Sequence, residues 1–495
     1  MYRLILLASI VNSLLWSGCR PPALTFPPVA AVETPATDAP VGGYDTDDNG
    51  RCDFFTFANG SGRIDRIGFA HAGNGGRPSA IIRLDDVRLD HARHLVIILD
   101  GIHFEVVRRF YAAGRLRMFY PPSRVVAPYP TMTDLSMEDI LAYIPARGFE
   151  SKFYNRIENR MSGGPSEYLE GFNQPYNTLL DYRSNLLLDG LGYLAPRAVF
   201  RKEINDLKRQ FDRRQKQELV AYIVSTAGIS TAFAEEGQFE VLDAVDRLVH
   251  QVMAETRGLV KVALLSDHGH SYHPAKRLDL EGFLEGRGWK LRDRIDEPCD
   301  VVAPAFGLVH FVGLSTSKPT ELAEDMAEME GAAVVSYAQG RDVIVLGPDG
   351  GRAVISRRGD SYRYAPQQGD PLKLGPLLDA LESQADTDGY IDSQALLRAT
   401  MDHVYPDALQ RIHRAHFGLV EHPPDVIVSL EKEWFYGNKI FSALATLRST
   451  HGGLDYSNSV TFIMSTIAPL GEVMRSREIS EKLGEVTGEP FPLGR

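Results

Sequence analysis

Three apolar runs in this chain end on residues that can do chemistry. "HLVIILDG" stops at Asp100. "VKVALLSDHGH" stops at Asp267 and His268. "RSTHGG" carries His451 shortly before a further run, "VTFIMS". Between the first two lies "APYPTMTDLSM", with Thr131 and Thr133 after a proline-punctuated turn. Asp-Gly after a strand is ordinary turn chemistry. A carboxylate at the carboxyl end of a central strand also stands where open α/β sheets bind their ligands. Carboxylates and imidazoles are the residue types that suit zinc and similar ions.

The elements that must position these residues follow from periodicity. Continuous apolar runs ("HLVIILD", "LVAYIV", "VKVALLSD", "PDVIVSL", "VTFIMS") alternate with helical patterns. In "FEVLDAVDRLVHQVMAET", Val241, Leu242, Val245, Leu248, Val249 and Val252 share one helical face. Apolar strands separated by helices imply an α/β fold: a doubly wound, mostly parallel sheet covered on both sides. This domain is expected over 93–495, with cap insertions at about 145–215 and 275–420. Ahead of it, residues 43–92 read as a small β-rich segment of short strands and turns. There Asp45, Asp47, Asn49 and Asp53 alternate around Gly50. That is the pattern of a calcium loop, without the closing Glu of a full EF-hand, and equally of an acidic turn between strands. A degenerate second copy is expected at 69–79.

The 495 residues carry a net charge of −12, so no nucleic-acid partner is expected. The N-terminus, "MYRLILLASIVNSLLWSGC", is too short and interrupted for a membrane span and fits a secretory signal over 1–19. Its ending resembles a bacterial lipoprotein processing site, which would lipidate Cys19. Residues 20–42 are rich in Pro, Ala and Thr and read as an extended tether. The expected location is the cell envelope, periplasm or outer membrane, with a lipid anchor in the membrane. Cys52 and Cys299 could pair in an exported protein or stay free.

In this order, the motifs resemble the alkaline phosphatase superfamily, and within it the phosphodiesterase and nucleotide pyrophosphatase branch. The resemblance covers roughly 93–270 and 420–470. It implies one divalent metal, zinc above all, held by Asp100, Thr133, Asp267 and His268. It makes Thr133 the nucleophile, because "PTMT" matches the family's "PTxT", and it gives His451 to a second metal. A threonine hydroxyl that ligates a cation becomes an accessible alkoxide. The implied product is a phospho-threonine intermediate, later cleaved by water.

The chain departs from the pattern at the second metal. The expected Asp and His fall on Ala227 and Thr231 in "STAGIST". Ser136 replaces the family's Asn after the nucleophile. Glu235, Glu236, His270 and His273 are the residues that could substitute. His270 and His273 read as surface-loop residues, and His94 and His103 as structural ones flanking the first strand. The resulting expectation is a metal-dependent phosphate-ester hydrolase acting on a small ester or lipid head group. The alternatives are a non-catalytic relative that binds a phosphorylated or sulfated ligand, and an envelope phospho-group transferase.

Overall fold

The computed structural model describes residues 25–33, 39–70, 78–164, 174–184, 192–193, 195–439, 442 and 447–493. Cys19 and most of the second loop copy at 69–79 lie outside the described residues. Among the described residues, no helix is long and apolar enough to cross a membrane.

The chain is mixed α/β. Its central sheet uses β1 (Arg93–Leu99), β2 (Ser123–Val126), β3 (Glu218–Ile223), β4 (Val260–Ser266), β5 (Val460–Ser465) and β6 (Val473–Arg475). The order across the sheet is β6-β2-β5-β4-β1-β3. β3, β1 and β4 are mutually parallel and so are β6 and β2, while β5 runs antiparallel to β4 and β2. The helices are α1 (Phe104–Ala112), α2 (Thr133–Ile140), α3 (Pro196–Arg213), α4 (Ser225–Glu255) and α5 (Ile479–Thr487). α4 is broken by a kink at Ala234.

Alternation along β1 explains the two-sided cover. Leu95, Ile97 and Leu99 join one core with residues of α1, α3 and α4. Val96 and Ile98 join the other, with residues of α2 and α5. Each such fully buried side chain contributes about 1.5–3 kcal/mol. α3 lies inside the stretch expected as an insertion, yet Ile204, Leu207 and Phe211 belong to the first core.

Residues 42–83 form a four-stranded antiparallel sheet (Gly42–Tyr44, Phe54–Ala58, Ile64–Phe69, Ala80–Arg83). In its first turn, Asp45 accepts the N–H groups of Asn49 and Gly50, and Asp53 accepts the N–H and hydroxyl of Thr46. Asn49 accepts from Arg51 N. These oxygens are used as turn-forming acceptors. Cys52 and Cys299 are both free thiols.

A nine-stranded sheet covers most of the second expected insertion, with an apolar cluster on either side. It also takes Val426–Leu430, the strand of "PDVIVSL", which pairs antiparallel with Phe311–Thr316 and Ala332–Gln339. That run was expected in the central sheet. A continuous apolar run marks any strand buried on both faces and carries no information on which sheet holds it.

The two sheets are joined, through the helix Ala408–His416 that packs on the second, by a buried ion pair. Arg475 on β6 reaches Asp407 through Nε at 2.6 Å and Nη2 at 2.9 Å, and Nη2 also donates to Ser393 O. Both side chains are almost fully buried. Arg475→Leu strands the Asp407 carboxylate without its partner. We expect a loss of about 3–5 kcal/mol, read from the urea midpoint. A loss below about 1 kcal/mol would show that the pair does not join the sheets.

Candidate metal and nucleophile site

The site begins with strand register. Leu99 on β1 pairs with Ser266 on β4 and with Ile223 on β3. The three parallel strands therefore end level, and the next residues, Asp100 and Asp267, emerge side by side. Gly101 turns the chain with φ of +69°. Its N–H donates to Asp267 Oδ1 at 2.9 Å, and His268 N–H donates to the same oxygen at 2.8 Å. Thr226, in the first turn of α4, accepts Asp100 N–H at 2.7 Å, and the Tyr222 hydroxyl donates to Asp100 Oδ2 at 2.5 Å.

Asp100, Asp267 and His268 bring one ligand atom each within 4.8 Å of one another, the one such group of three among the described residues. His268 Nε2 lies 3.5 Å from Asp267 Oδ2 and 3.7 Å from Asp100 Oδ1. Its Nδ1 is 2.9 Å from Gly269 O, which fixes Nε2 as the free lone pair. Thr133 is the first residue of α2, half-buried, with Oγ1 at 3.3 Å from His268 Nε2 and 3.5 Å from Asp100 Oδ2. Thr131 does different work. Its hydroxyl accepts Gly452 N–H at 2.8 Å, and its carbonyl holds His451 Nδ1 at 2.8 Å. The two threonines of "PTMT" are thus separated by geometry: one holds a loop, the other faces the cluster.

Burial sets the electrostatics. It raises the Asp267 carboxyl to about 6, against the pull of the Gly101 and His268 amides. It lowers His268 to about 4 and His451 to about 3, so both imidazoles are neutral lone-pair donors at pH 7. Asp267 Oδ2 is buried and accepts no hydrogen bond from the described residues. Two carboxylates, a neutral imidazole and a hydroxyl around an unsatisfied buried oxygen fit a divalent cation of the zinc kind.

The other named residues divide clearly. His451 stacks on His268, ring centroids 4.2 Å apart. The first two turns of α4 reach the same end of the cleft. Ser230 Oγ donates to Gly101 O, and Arg448 N–H donates to Thr231 O. Ala227 is buried there and offers no ligand atom. Glu235 pairs with Arg109, and Glu236 and His273 are exposed. His94 contacts Glu218, and His103 caps α1. Ser136 is buried within α2.

His270 is the correction. Expected on a surface loop, it is fully buried, with its ring 5.3 Å from that of His451. Gly269 is the reason. A Cβ there would meet Ser457 O at 2.1 Å, so the turn is pressed against the backbone and both flanking imidazoles are carried inside. Tyr222 and Thr226 were also missed, because a buried Tyr or Thr in an apolar run reads as core.

No family model matches the chain, and no curated protein matches it. Among solved structures, murine ectonucleotide pyrophosphatase/phosphodiesterase 5 aligns over 80% of this chain and 95% of its own, at 10% identity and a TM-score of 0.43. The human protein of that name aligns over the same shares at 9% identity and 0.44. An inactive variant of the murine protein, in complex with AMP, aligns at 10% identity and 0.44.

Gly101 has no room for a side chain. An added Cβ would meet His270 Cδ2 at 2.6 Å. We expect Gly101→Ala to lose roughly 1–2 kcal/mol from the left-handed backbone alone, and more because the ring must move. Gly60→Ala, facing open space, is the control. Equal melting temperatures for the two variants would contradict this packing.

Proposed function

We propose that the chain is a metal-dependent hydrolase of phosphate esters with Thr133 as nucleophile. The observation that carries this reading is the position of Thr133 Oγ1, within 3.5 Å of both Asp100 Oδ2 and His268 Nε2. A bound divalent cation lowers the pKa of a hydroxyl that ligates it and offsets charge on the transferring phosphoryl group. The residues supply the rest. Asp100 and Asp267 are fixed by Tyr222, Thr226, Gly101 and His268. Thr133 Oγ attacks phosphorus, forming the Thr133 O–P bond as the ester P–O bond breaks. The leaving oxygen departs with that electron pair and takes a proton. Water then cleaves the phospho-threonine and restores the hydroxyl. Thr133 also opens α2, whose first N–H groups have no intrahelical acceptor and favour an anion.

A second reading, a binding protein without turnover, is favoured by Ala227, which replaces the carboxylate the superfamily pattern calls for. Turnover separates the two. On p-nitrophenyl phosphate and bis(p-nitrophenyl) phosphate, Thr133→Ala should lower the rate by about 10³-fold or more with the fold intact. Wild-type turnover in that variant would end the nucleophile assignment. Absence of turnover in the wild type, with the ester still bound, would favour the binding reading.

We also propose that the protein is held at the envelope through a lipidated Cys19. Support comes from the signal-like leader, "LWSGC" and the Pro-rich tether. After expression in a bacterium, the protein should partition into detergent and Cys19→Ser should not. Equal partitioning would refute the anchor.

A further inference from the structure

We infer that His270 and His451 form a second cation seat in the cleft, in place of the carboxylate and imidazole lost at Ala227 and Thr231. The inference rests on the reading above, that Asp100, Asp267 and His268 hold the first cation.

Metal-ligating histidines have one ring nitrogen tied by a hydrogen bond and the other left bare. Both members of this pair have Nδ1 tied. His451 Nδ1 is 2.8 Å from Thr131 O, and His270 Nδ1 is 2.6 Å from Ser449 Oγ. His270 is fully buried, and its Nε2 has no hydrogen-bond partner among the described residues. Its location is fixed by Gly101. A Cβ there would meet His270 Cδ2 at 2.6 Å, His270 Nε2 at 3.3 Å and His268 Cε1 at 3.6 Å. The bare edge of His270 therefore lies against the end of β1, beside the first site.

The separation of the rings fits a shared ion. Imidazoles bound at about 2.0–2.1 Å to one tetrahedral ion hold their ring centroids roughly 5 Å apart. The His270 and His451 centroids are 5.3 Å apart, with the planes inclined at 50°. Bare ring nitrogens also occur on His94, His103, His250, His310 and His413. The rings of His94, His103, His250 and His413 face Glu218, Tyr272 and Tyr456, Phe26 and Tyr44, and Tyr362 and Phe417 in turn. His310 has its Nδ1 3.3 Å from Asn458 Nδ2 and follows Val309, which bridges to His451, but among the described residues no ring contact pairs it with His270 or His451. Two protein donors leave half of a tetrahedral shell open, and oxygens of water or of a phosphate ester would fill it.

The experiment is metal counting on the full chain, stripped with a chelator and reloaded with Zn(II) or Co(II). His270→Asn removes Nε2 and leaves an amide where Nδ1 meets Ser449. The wild type should retain one more equivalent than His270→Asn, and the Co(II) visible spectrum should lose one component in the variant. Counting the difference cancels any ion bound elsewhere. Equal counts, with at least one cation in each protein, would overturn the seat while leaving the first site standing. Loss of all cleft metal in His270→Asn would also overturn it, by giving His270 to the first site. A wild type that retains no cation would remove the parent reading and the seat together. If His270→Asn does not fold, His451→Gln is counted in its place: it should retain one equivalent fewer than the wild type, and an equal count would overturn the seat.

Discussion

Everything at the site depends on three parallel strands ending level. With Leu99 opposite Ser266 and Ile223, Asp100 and Asp267 have no choice but to meet. A slip of one residue would turn the alternate side chains to the other face and part the carboxylates. The meeting is costly. At an effective dielectric of about 20, two such charges repel by roughly 3–4 kcal/mol, and burial adds desolvation to that. The fold offsets the cost with donors placed before any ligand arrives: Gly101 and His268 amides on Asp267, Tyr222 on Asp100. It leaves Asp267 Oδ2 without a donor among the described residues, and that residual demand suits a cation.

The second sheet matters to this arrangement through one loop. His451 lies in the loop ahead of β5 and has no strand of its own. Its carbonyl accepts His310 N–H at 2.7 Å, and Thr450 donates to Leu308 O. From the other side Thr131 holds both Gly452 N–H and the His451 ring. The imidazole is thus gripped between the Leu308–His310 segment, which leads into the nine-stranded sheet, and the turn that leads into α2. The grip ties the position of His451 to that of Thr133, two residues from Thr131. The buried Arg475–Asp407 pair ties β6, at the edge of the central sheet, to the start of the helix Ala408–His416.

Residue types and strand ends made the first half of the site legible. Asp100, Asp267 and His268 each follow a strong apolar run, and runs of that kind are the most dependable signal of a central strand. The choice between Thr131 and Thr133 came from a family pattern; in the structure Thr131 bonds the His451 loop, and Thr133 Oγ1 lies 3.3 Å from His268 Nε2. Two things were not legible. The sheet that holds Val426–Leu430 depends on long-range pairing, which local pattern does not encode. The burial of His270 depends on how closely Gly269 approaches Ser457 O, a contact between segments far apart in sequence. The alternating acids around Gly50 carry the pattern of an ion loop and of an acidic turn alike, and in the structure Asp45, Asn49 and Asp53 accept N–H and hydroxyl groups of their own turn.

Charge balance sets the two ends of the cleft apart. A dication between Asp100 and Asp267 meets two carboxylates and is neutralised by the protein itself. A dication between His270 and His451 meets two neutral imidazoles, so its full charge is left to be balanced from outside. Water does this poorly in a buried site, and an anionic oxygen does it well. The imidazole end would therefore fill most tightly when a phosphate ester is present, and the ester would bind most tightly when that end is filled. The same coupling free energy governs both directions. Replacement of a carboxylate by an imidazole would thereby make the occupancy of that end respond to the ligand, whereas the carboxylate end would be committed to its cation beforehand.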